Sequence, residues 1–74
     1  MNLYKIDVKL DVRGDGAGID SRYTFHVSAS SAQLALIRLI PKVRKYLRRE
    51  YSYLLPFKKE RFTVHALELL DERW

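Results

Sequence analysis

The stretch AQLALIRLIPKVRKYLRREYSYLL, residues 32–55, decides the fold. At ~100° per residue, the helical period, Leu36, Leu39, Ile40, Val43, Tyr46, Leu47, Tyr51 and Leu54 fall within one arc of roughly 140°. Arg38, Lys42, Arg44, Lys45, Arg48 and Arg49 occupy the opposite arc. A helix divided in this way packs through its apolar arc and turns its basic arc to water or a partner. Pro41 complicates the reading, because a proline inside a helix removes a hydrogen bond and bends the axis. Two arrangements fit: one helix kinked at Pro41, or a break at Ile40 with Pro41 opening a second piece. The kinked single helix is preferred. Pro41 lies on the outer arc, where a bend lets a long helix follow a twisted sheet. Ser30 or Ser31 supplies the N-cap, and Pro56 stops the helix. Glu50 falls in the middle of the apolar arc. Either the regular helix ends near it, or it pairs with a neighbouring cation or hydroxyl.

Before the helix the period changes from 3.6 to 2. Tyr4, Ile6, Val8, Leu10 and Val12 share one parity, and Lys5, Asp7, Lys9, Asp11 and Arg13 share the other. This is a strand covered on one face only. GDGAGID, residues 14–20, is a hairpin loop longer than the tightest kind. SRYTFHVSA, residues 21–29, alternates again, with Tyr23, Phe25, Val27 and Ala29 inward and Arg22, Thr24, His26 and Ser28 outward. After the helix, FKKER (57–61) reads as a short basic connection and FTVHALELL (62–70) as a third strand. Its parity is ambiguous, and a bulge near Ala66 or Leu67 would reconcile the two apolar sets. Trp74 is expected to fold back or meet a partner. The order strand, strand, helix, strand gives a two-layer α+β domain. Its three-stranded antiparallel sheet, in order 2-1-3, lies under one long helix.

Seventy-four residues hold one domain and one core. The absence of cysteine excludes disulfides and thiolate metal sites, and it fits a cytoplasmic protein. No apolar run approaches the ~20 residues of a membrane span. The N-terminus MNLYKIDVKL carries charges among its apolar residues, unlike a signal peptide. The net charge of +5 is concentrated. Residues 42–61 hold eight basic and two acidic side chains, and the remainder hold six basic and seven acidic. A one-signed segment of this kind attracts polyanions or an acidic protein surface.

Candidate chemistry is sparse. The glycines of GDGAGID precede a strand, whereas a phosphate cradle precedes a helix, so they read as a loop. Asp11, Asp15 and Asp20 lack the spacing of a calcium loop. His26 and His65 fall on strands separated by the central one, about 9–10 Å apart, too far to share a metal unaided. A weak metal or catalytic site around them is a third-ranked expectation. No nucleophile and base pair up in a known motif, so neither an enzyme nor a cofactor is expected. Tyr4, Tyr23, Phe25 and Phe62 all have core parity, which disfavours base stacking on the open sheet face. Nucleic acid would instead meet Arg38, Lys42, Arg44, Lys45, Arg48 and Arg49, helped by Lys58, Lys59 and Arg61, through phosphate contacts. The alternative is a protein-interaction module using Leu34, Ile37, Leu55, Leu67 and Leu69. Two open sheet edges with spare apolar residues add a homodimer to the expectations.

VSASSAQLALIRL, residues 27–39, joins a strand ending to a serine-rich cap and an Ala/Leu helix opening. In this it resembles small bacteriophage proteins of hairpin–helix–strand type. The resemblance implies an accessory protein that binds a host or replication complex, as some such proteins bind host RNA polymerase. Phage inhibitors of that kind are often acidic nucleic-acid mimics, and this basic chain departs from them.

Overall fold

The computed structural model describes residues 1–72; Trp74 lies outside them. Strand β1 (Asn2–Arg13) and strand β2 (Gly18–Ala29) form a hairpin. Helix α1 (Ala32–Glu50) follows, then a 3-10 turn (Ser52–Leu54) and strand β3 (Lys59–Glu72). The sheet order is β2-β1-β3, and both pairings are antiparallel. This is the expected α+β architecture. No helix among the described residues is long and apolar enough to cross a membrane.

Several boundaries differ from the sequence reading. β2 begins at Gly18, so the loop shrinks to residues 14–17, closed by a 2.8 Å bond from the Gly14 N–H to the Ala17 carbonyl. Gly16 takes a φ of 76°, where glycine escapes the steric cost that other residues meet. A Cβ at Gly14 would collide with the Leu54 carbonyl, so the hairpin end and the 3-10 turn are in backbone contact there. Lys59, Glu60 and Arg61, expected in a connection, belong to β3. The Lys58 N–H reaches the Arg13 carbonyl at 2.8 Å and starts the β1–β3 ladder early.

α1 is one helix with Pro41 inside it. Ser31 caps it, its hydroxyl accepting from the Leu34 N–H at 3.2 Å. It ends at Glu50, short of the expected Leu55, so Glu50 escapes the core. It sits exposed beside Arg49 at 3.6 Å. Tyr51 closes the last turn by donating to the Leu47 carbonyl.

The core is graded across the sheet. All five apolar residues on the inner face of β1 are buried, from Tyr4 to Val12. β2 contributes Phe25, Val27 and Ala29, and α1 contributes Ala35, Leu39, Val43 and Leu47. Among the described residues β3 contributes no fully buried side chain; Phe62 and Leu67 only pack against the core's margin. Each buried aliphatic side chain is worth about 1.5–3 kcal/mol, so β1, β2 and α1 carry most of the stability.

β3 resolves its ambiguous parity through a bulge, as expected. Asp7 pairs with Ala66 but Val8 pairs with Val64, leaving His65 as an extra residue. The bulge therefore lies one step before the expected Ala66 or Leu67. It brings Val64 opposite Val8 and Leu67 opposite Ile6, both on the helix side of the sheet. Leu69, opposite Tyr4, is on that side too. Leu67 and Leu69, expected in a partner surface, thus share the helix side with the core.

Candidate nucleic-acid interface

The helical period places the cations of α1 on its solvent side, and the structure then divides them. Towards β2 lie Arg38, Lys42, Lys45 and Arg49. The Arg38 guanidinium donates to the Ser28 carbonyl at 2.9 Å. Lys42, Lys45 and Arg49 overhang an open cleft of about 290 Å³, whose other wall is the β2 edge from Tyr23 to Phe25 and His26. Among the described residues no acid pairs with Lys42, Arg44 or Lys45.

Three cations nearer β3, Arg48, Lys58 and Lys59, are occupied. Arg48 lies 3.6 Å from Glu60, and its guanidinium sits 6.0 Å from the centre of the Phe57 ring. Lys58 pairs with Asp15 at 3.2 Å, and Lys59 with Asp11 at 2.8 Å. The Lys59 hydrogen bond holds the Asp11 carboxyl below its ordinary 3.8, against a smaller opposing effect of desolvation. Arg61 stands opposite Asp11, whose carboxylate Lys59 already engages. Asp20 meets Lys9 at 3.8 Å, so Asp11, Asp15 and Asp20 are engaged separately by lysines. Of the nine expected phosphate-binding residues, the structure gathers Lys42, Lys45 and Arg49 at one cleft. It ties Arg48, Lys58 and Lys59 to acids elsewhere.

The aromatic part of this cleft was missed in the sequence. Tyr23 has core parity, yet it is 42% exposed because β2 is an edge strand. Its ring stacks on Tyr46 of α1 at 4.2 Å and 27°, and both rings meet Phe25 edge-on. Tyrosine suits such a margin, since its body is apolar and its tip polar. Burial pushes the Tyr46 phenol up to about 12, and Tyr51, Tyr23 and Glu50 push it the same way. The cue that could have found Tyr23 was its place on the outermost strand, where one flank of every side chain lacks a neighbour.

The opposite sheet face has a different character. Arg22 lies 3.9 Å from Asp7 and 3.1 Å from the His65 Nδ1. Both signs are interleaved there, so that face offers no uniform field to a polyanion. His65 contacts Arg22, and His26 lines the cleft at the β2 edge. Of the residues expected to form a partner surface, Leu34 packs against the core margin and Leu67 does the same. Ile37 on α1, Leu55 just after the 3-10 turn and Leu69 on β3 remain exposed.

No protein-family model, curated protein or solved structure matches the chain.

Proposed function

We propose that this protein is a small non-enzymatic nucleic-acid-binding accessory protein that acts in the cytoplasm and engages phosphates through α1. The observation that carries the reading is the pair Lys42 and Lys45. Among the described residues both are free of acidic partners, whereas Arg48 and Arg49 on the next turn pair with Glu60 and Glu50, and they stand over a cleft beside the Tyr23–Tyr46 stack. Free cations at one wall attract the backbone. Because phosphates look alike in every sequence, such contacts give affinity with little base preference. The exposed flank of Tyr23 supplies a surface on which an unpaired base can stack.

Fluorescence anisotropy with single-stranded and duplex oligonucleotides, repeated across salt concentrations, tests this. Log affinity should fall linearly with log salt, steeply at several units per decade. Absence of binding even at low salt removes the reading. A second reading, a protein-interaction module of the phage accessory type, draws on the exposed apolar residues Ile40, Val64 and Leu69. Recovery of one stoichiometric protein after nuclease treatment would favour it.

A further inference from the structure

β3 is an outer strand of the sheet, and its helix-facing side is left open. Val64 is 38% and Leu69 45% exposed, and Ile40 across from them on α1 is 39% exposed. Between Phe62 and Leu67 the strand carries no Lys, Arg, Asp or Glu, which is unusual for an unguarded edge. Arg61 precedes this uncharged segment and Glu68 follows it. Both belong to the face away from the helix, opposite Asp11 and Lys5 respectively. Among the described residues Glu68 makes no ion pair.

We infer that β3 pairs with β3 of a second copy, antiparallel, about a two-fold axis at the His65 bulge. The bulge selects that axis. It reverses which residues face the helix, from Phe62 and Val64 before it to Leu67 and Leu69 after it, as far as a second register shift at Leu70. In an antiparallel pair, residues directly opposite lie on the same face. Only an axis at the bulge therefore sets each Phe62 against a partner Leu69 and each Val64 against a partner Leu67. A bulge elsewhere on an edge discourages pairing; at the dyad it leaves both halves in step. The same register sets Arg61 of each copy diagonal to Glu68 of the other, within reach of long side chains on one face. A strand with one sign at both ends would repel its own copy in this arrangement. This strand has a cation at one end and an anion at the other. The product is a continuous six-stranded sheet with the exposed apolar residues turned towards the dyad.

Sedimentation velocity over a wide concentration range, with circular dichroism to confirm folding, tests the dimer. The native chain should sediment as a dimer. Leu69→Lys, at an exposed position, should give a folded monomer. Arg61→Glu should weaken the dimer roughly tenfold, since the two-fold counts each charge pair twice. The double variant Arg61→Glu/Glu68→Arg should restore it. Lys42→Glu/Lys45→Glu should leave it unchanged. A native chain that stays monomeric at every concentration overturns the inference, and so does a double variant no better than the single one.

Discussion

Along β2, the sheet edge runs beneath α1. Arg38 reaches a β2 carbonyl, Lys42, Lys45 and Arg49 overhang the strand, and two tyrosines close the margin by stacking. Along β3, the other edge, apolar side chains of the same inner face stand open, and the middle of the strand carries no charge. The two strands are of similar length and both pair with β1 throughout. Their difference comes from connection and width. Only Ser30 and Ser31 separate β2 from α1, so the helix must return over the strand it has just left. A helix about 10 Å across covers roughly two strands spaced ~4.8 Å apart. The third strand is left over. The order of elements along the chain thus determines which edge is guarded and which is available.

The largest test of this contrast compares neighbours on α1. Leu39→Ala should cost about 2–5 kcal/mol in chemical denaturation, because it empties a buried site. Ile40→Ala, one residue later but turned towards the open side, should cost under about 1 kcal/mol. Equal losses would mean that the β3 side is packed as tightly as the β2 side. Next comes the guarded edge itself. Lys42→Glu/Lys45→Glu should abolish oligonucleotide binding at moderate salt. Replacing both with Gln should lower the salt slope by about 1.4–1.8 units, the loss of two phosphate contacts. Lys58→Gln and Lys59→Gln, at cations already paired with acids, should change it much less.

A smaller effect appears at high pH. Tyr46 titrates near 12 in the folded chain and near 10 when unfolded. Below pH 10 both states keep the proton and the contribution is complete. Between 10 and about 12 the unfolded chain releases its proton first, so stability falls as pH rises. Tyr46→Phe should flatten that part of the denaturation profile relative to the native chain. The smallest effect belongs to Asp11, on the β3 side. Its folded value is depressed, so its contribution is present above 3.8 and fades as pH falls through the folded value. Asp11→Asn should lower stability slightly at neutral pH and converge with the native chain in acid, as followed by thermal melts.

Much of the fold was legible because periodicity reports burial directly. The five inward residues of β1 alternate without a break, and each is buried. The helix and its outward Pro41 were legible for the same reason. Tyr23, Leu36 and Ile40 carry the right period and yet stay 42%, 38% and 39% exposed. Period says which face a side chain takes, and a neighbour is needed to cover it. The end of α1 was misplaced because Tyr51 and Leu54 keep the helical spacing although the chain turns into a 3-10 turn after Glu50. The basic arc was visible as one surface. Its division into free and paired cations depended on Glu60 of β3, and the pairing of Lys58 and Lys59 beyond it on Asp15 and Asp11 at the far end of the chain.

By itself, then, the sequence determined the strand and helix faces, the sheet order and the concentration of positive charge, all of which follow from local spacing and connection length. The tertiary structure decided which cations stay unpaired, where β3 bulges and which sheet edge is left open. Those depend on contacts between residues distant along the chain, such as Lys58 with Asp15, and on how far one helix can reach across three strands.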